Sequence, residues 1–282
     1  MSRGLARVIG TAVGLGLLSL WWANHGEEVH ALVLSRLGWF LGGLIAATAG
    51  MIVQWVRTAW LLRVERPASL IPTVLLAHGL NVFLPSLLGD AYEVGAVSKL
   101  TGRPVSRVLT RLLHRFATTL GALGVLAGLA LLGTSPNLGV AILFGAVTGP
   151  IVVDGMTPRL GPLIKADPMP GLGFTPTLLH LGLAVLQHAL SALAVFCFGV
   201  AIASAVSPAV AAAMLSMADL MTYVPVPLAG VGLHHWSVSA AAGLFGAIPA
   251  DLVAFNHALM VLIGGICAGL GFAIRSPSGH NG

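Results

Sequence analysis

NVFLPSLLGDAYE, residues Asn81 to Glu93, breaks a hydrophobic run at Pro85 and Gly89 and then meets two carboxylates, Asp90 and Glu93. A helix that crosses hydrocarbon should not end this way. Proline removes a backbone donor and glycine loosens the helix. In hydrocarbon the freed carbonyls cannot turn to water, so such a break survives only against protein or a wet cavity. The stretch therefore predicts a re-entrant hairpin hinged at Pro85 and Gly89. A second stretch of this kind, Tyr223 to His235, sets Pro225 and Pro227 before Gly230 and Gly232, with His234 and His235 just beyond. Two broken segments in corresponding halves of a membrane chain point to a transport site where the halves meet.

The rest of the composition agrees with a membrane setting. Of the 282 residues, 57% are hydrophobic and only 8% charged, and the mean hydropathy is +0.95. These values predict an all-α polytopic membrane protein. The 36 glycines and 16 prolines sit among apolar residues, which suits close helix packing and interrupted helices. Cys197 and Cys267 fall inside predicted spans, which argues against a disulfide framework. Leu5 to Trp22 follows Arg3 and Arg7 as a signal peptide would, but it is long for a signal core and reads as a retained helix. The net charge of +5 lies on no soluble face, so no nucleic-acid partner is expected.

Working outward, the chain predicts about six full spans, at 4–23, 38–62, 116–132, 138–153, 176–206 and 252–274, plus two re-entrant hairpins. The run from Ser69 to Leu88 decides the topology. If it crossed fully, Lys99, Arg103, Arg107, Arg111 and Arg115 would lie outside, against the tendency of short basic loops to stay in the cytoplasm. If it dips in and returns, they stay inside. Gly155 to Thr175 reads as a cytoplasmic loop. On this assignment thirteen of the fourteen Lys and Arg residues are cytoplasmic, Arg36 being the exception, and both termini are cytoplasmic. The whole chain forms a single transmembrane domain, with halves 1–134 and 135–275 related as an inverted repeat and 276–282 as a flexible tail.

Candidate substrate-binding residues follow from the cost of polar groups at membrane depth, on the order of 2.5 to 3.5 kcal/mol for a charge at a helix centre. Asn81, Asp90 and Glu93 in the first break are candidates either to line a polar cavity or to balance nearby arginines. Arg103, Arg107, Arg111 and Arg115 recur every fourth residue along one predicted helical face. Two readings follow: a snorkelling positive-inside anchor, or a phosphate site at Arg111 and Arg115. Asp219, an isolated acid, and His234 and His235 complete the set. Adjacent histidines point about 100° apart on a helix, so no zinc motif is read there. No catalytic residues, metal or cofactor are predicted, and no Walker loop is present.

Asn81-x-x-x-Pro85-x-x-x-Gly89-Asp90, followed by His114-Arg115 and Gly230-x-Gly232-x-x-His235, resembles the lysylphosphatidylglycerol synthase transmembrane-region family of flippase-like integral membrane proteins. Members share Asn-x-x-x-Pro-x-Arg-x-Gly-Glu, then Glu-Arg, then Gly-x-Gly-x-x-Glu. Here Leu87 stands in place of the motif arginine, Glu93 falls where another arginine is common, and His114 and His235 replace glutamates. The resemblance implies a retained scaffold with a rewritten polar lining. It implies a lipid translocase of the bacterial inner membrane that moves an anionic phospholipid or polyprenyl-linked lipid between leaflets, with the bilayer as its surroundings. The residues leave two alternatives open: a small-molecule or ion secondary transporter, or an accessory subunit of a lipid or envelope synthase. No aminoacyl-transferase domain is read in these residues, so synthase activity is not implied.

Overall fold

The computed structural model describes residues 34–83, 88–163, 170–202, 206–222 and 250–274, together with Ala23, Glu27 and Ala31. The elements among them are all helical. They are α1 (Leu37–Leu62), a 3-10 turn (Pro67–Leu70), α2 (Ile71–Phe83), α3 (Leu88–Thr101), α4 (Val105–Leu131), α5 (Pro136–Leu163), α6 (Phe174–Ala201), α7 (Pro208–Thr222) and α8 (Ala250–Ile274). Four of these, α1, α4, α5 as far as Arg159, and α6, are long and apolar enough to cross a membrane. Their outer faces expose large apolar side chains such as Ile45, Val152, Phe144 and Leu179. Apolar surface on that scale is stable against lipid rather than water. The predicted span at 252–274 is helical throughout, whereas 4–23 and the tail 276–282 lie outside the described residues.

α2 ends at Phe83 and α3 begins at Leu88. At 13 residues, α2 is about 20 Å long, short of the ~30 Å hydrocarbon core. The chain then returns to where it came from. Leu62 at the end of α1, Leu70 of the 3-10 turn, Val74 at the start of α2, Val97 late in α3, and Val108 and Leu112 early in α4 belong to one buried cluster. Both legs of the α2–α3 hairpin therefore end beside the same end of the bundle, the end that carries Arg63, Arg66, Lys99 and Arg107. Gly89 makes the tight closure possible, because a Cβ there would collide with the Ala77 carbonyl and the Asn81 side chain.

The long helices alternate in direction. α1 and α6 run antiparallel, with Arg36 Nη1 donating to the Val200 carbonyl (2.7 Å) at one end and Trp60 stacked on His180 at the other. α8 runs antiparallel to α2 through small residues. A Cβ on Gly79 would sit 2.7 Å from Ala268 Cβ, and one on Gly264 would sit 2.8 Å from Val82 Cβ. Such close backbone approach is how helices bind without a hydrophobic driving force. Contacts between the halves are reciprocal: α2 packs on α8, while α7 packs on α4, and α1 and α6 pack on each other.

Two local expectations are corrected. Gly155 to Thr175 is not all loop, because α5 continues as far as Leu163. Pro158 removes only the donor that would meet the Asp154 carbonyl, and the chain at Gly171 passes over that carbonyl instead. Arg103 is not on the helical face of Arg107, Arg111 and Arg115, since it precedes the Pro104 cap of α4. It turns back to donate to the carbonyls of Leu62 and Arg63 at the end of α1. A cation there complements the negative end of the helix dipole.

Candidate functional site

The first candidate residues converge on one cluster. Arg115, about three turns into α4, is buried and grips Glu93 with both terminal guanidinium nitrogens, Nη1 to Oε1 at 2.6 Å and Nη2 to Oε2 at 2.8 Å. Nη2 also meets Asp90 Oδ1 at 3.2 Å, and Nη1 donates to Thr58 Oγ1 at 3.1 Å. Across the hairpin, Asn81 Oδ1 accepts the Gly89 N–H at 2.9 Å, and its side chain also hydrogen-bonds Asp90. Asn81, Gly89, Asp90, Glu93 and Arg115 are thus one hydrogen-bonded group joining α2, α3, α4 and α1. The bidentate fork is the strong geometry for an arginine and a carboxylate. Two carboxylates facing one guanidinium leave the group with either a surplus negative charge or one held proton.

Arg115 is therefore already neutralised and does not stand open to a phosphate. A second arginine of the site, Arg57, is not among the candidates singled out from the sequence. It is 1% exposed, bonded to Gln187 of α6 and, at 3.3 Å each, to Thr118 and Thr119 of α4. Thr118 continues the web to His180 Nδ1 at 2.8 Å. The available signal was an arginine inside an apolar run, a full turn short of its polar end. Arg57 joins the first cluster through the α4 turn that carries both Arg115 and Thr118.

Asp154 is a further residue that sequence reasoning missed. Its carboxylate accepts the backbone N–H groups of Leu172 (2.5 Å) and Gly173 (2.9 Å) at the start of α6, and His114 Nδ1 lies 3.5 Å away. A carboxylate from α5 thus caps the N-terminus of α6, satisfying orphan donors and meeting the positive end of the dipole. Asp154→Ala is expected to lower stability by about 1–2 kcal/mol, the range for losing a helix cap. Thermal unfolding of the purified protein in detergent checks this, and an unchanged midpoint would show that the loop caps itself.

The remaining candidates lie apart from this group. Arg111 is half-buried near Arg63, Arg103 and Asp154 rather than beside Arg115's partners. Asp219 of α7 faces His188 of α6, Oδ2 to Nδ1 at 3.3 Å, an ion-pair distance without hydrogen-bond alignment. His78 of the hairpin is within electrostatic reach of Asp219. Pro85, Pro225, Pro227, Gly230, Gly232, His234 and His235 lie outside the described residues. Among the described residues no three His, Cys, Asp or Glu side chains are placed to hold a metal. Comparison of the chain with protein-family models, curated proteins and solved structures gives no match.

Proposed function

We propose that this chain is a lipid translocase of a bacterial inner membrane, moving an anionic phospholipid or a polyprenyl-linked lipid between leaflets. The observation that carries the reading is the α2–α3 hairpin: too short to cross, turned back to its starting end, and holding Asp90 and Glu93 against Arg115 inside the bundle. Buried charge at membrane depth is retained where it lines or couples to a path. The full arrangement has six spans and two re-entrant hairpins, with both termini cytoplasmic. The reciprocal packing of α2 on α8 and α7 on α4 supports an inverted repeat. The motif likeness to the lysylphosphatidylglycerol synthase transmembrane region supports a lipid cargo. The headgroup passes beside the hairpins while the tails stay in the bilayer. Asp90 lines the path together with Asp219, His234 and His235, and Arg115 holds the hairpin in place.

Leaflet-resolved flipping of labelled lipids in liposomes containing the purified protein tests this. Headgroup-selective flipping is expected, slowed at least about tenfold by Asp90→Asn, which removes a charge worth about 1.4 kcal/mol or more to the path. Absence of flipping with the protein folded would discard the translocase. The pairing of buried His188 with half-buried Asp219 favours a second reading, a proton-coupled small-molecule transporter. That reading predicts solute uptake without flipping.

A further inference from the structure

A groove of about 550 Å³ opens between the last turns of α1, the 3-10 turn and the start of α6. Trp55, Val56, Trp60, Pro67 and Pro176 form its apolar wall, and Arg63 stands at its rim. The wall is preset. Trp55 Nε1 donates to the Pro67 carbonyl at 2.9 Å, and Trp60 stacks on His180 with ring centroids 5.6 Å apart. Val56 and Trp60 also continue an exposed apolar stripe up α1 through Ile52, Ile45 and Leu41. The spacing of these residues keeps them on one helical face.

The rim has the opposite character. Arg63 is held at the left-handed cap of α1 (φ 46°). It is exposed, and among the described residues its guanidinium has no hydrogen bond or ion pair. Arg111 of α4, half-buried, is within electrostatic reach of both Arg63 and Arg103. The acid that acts on Arg111 is Asp154, whose oxygens are taken by the Leu172 and Gly173 N–H groups. Arg103 is turned onto backbone carbonyls. Arg63 is therefore the guanidinium left at the groove, beside a rigid aromatic wall and a long apolar stripe.

We propose that this groove holds one anionic glycerophospholipid, its phosphate at Arg63 and one acyl chain laid along Trp60, Val56 and Ile52, with the Arg111 charge behind adding to the local positive field. The proposal names a holding site for the substrate class of the translocase reading and rests on that reading for its purpose, though not for its chemistry. The aromatic wall excludes water from one side of the phosphate, which strengthens its pairing with the guanidinium. Lipids that lack net negative charge lose this term.

The test is native mass spectrometry of the protein released from nanodiscs made with phosphatidylglycerol or with phosphatidylcholine. One phosphatidylglycerol is expected to stay bound, with phosphatidylcholine retained at least about fivefold less. Arg63→Gln should weaken retention about fivefold, at roughly 1 kcal/mol for one base at the headgroup. Arg66→Gln, an exposed base nearby that does not line the groove, should leave retention unchanged. Equal retention of both lipids, retention that survives Arg63→Gln, or equal loss in Arg66→Gln overturns the site. Flipping read on the same preparations separates the two claims. Selective retention without flipping removes the translocase and keeps the site. Flipping without selective retention keeps the translocase and removes the site.

Discussion

Arg115→Ala is expected to cost about 3–5 kcal/mol, because it leaves Glu93 buried and charged without its bidentate partner. The loss comes mainly from the stranded carboxylates rather than from the attraction removed. A second variant separates these terms. Arg115→Met, Glu93→Leu and Asp90→Asn together remove the guanidinium and both carboxylates that face it, and buried ion pairs replaced by uncharged groups of similar size are often neutral or more stable. This triple variant should therefore recover most of the unfolding temperature in detergent. In the translocase reading it should still fail to flip lipid, since the Asp90 charge is gone from the path. An Arg115→Ala protein that unfolds at the wild-type temperature would mean that the fork does not hold the hairpin.

Gly89→Ala is expected to open the hairpin at a cost of about 3 kcal/mol, near the upper end for forcing an extra methyl into a packed site. The obstacle is backbone. The added Cβ would meet the Ala77 carbonyl, which cannot rotate aside, as well as the Asn81 side chain that accepts the Gly89 N–H. The readout is protease cleavage between α2 and α3 in the folded protein, expected to rise sharply. Gly95→Ala on the same helix is the control, because nothing lies within 4 Å of its Cβ position. It should be neutral or slightly stabilising, as alanine is the better helix former. Equal behaviour of the two variants would remove the close approach at Gly89 as the reason for a glycine there.

That the chain divides into two short helices between Phe83 and Leu88 was legible in the sequence, because proline and glycine each weaken a helix; α3 returns to the end of the bundle where α2 began. The partners of the carboxylates were less legible. Arg115 was visible as a deep base, but spacing alone could not distinguish a phosphate site from a partner 22 residues away on another helix. Arg57 did not stand out because a basic residue near the end of an apolar run resembles an anchor. Only the packing of α1 between α4 and α6 shows that it points inward. Asp154 was hidden by its neighbours, since glycine and proline after it suggested a loop while the helix in fact continues. Arg103 was misplaced for a related reason. A four-residue repeat signals a helical face only if the helix has already begun.

The reciprocal packing of the two halves has a consequence for how the protein is made. The surface that covers α2 is α8, some 170 residues further along the chain. At about 5–20 residues per second, the ribosome delivers α8 roughly 10 to 30 seconds after α2 has entered the membrane. During that interval the small-residue face of the hairpin, with Gly79 at its centre, faces lipid or whatever insertion machinery attends it. Its carboxylates can already be tied to Arg115, which follows within one further helix. The charged fork therefore lets the hairpin settle early, before its permanent neighbour exists, and the last helix closes over an element that is already in place.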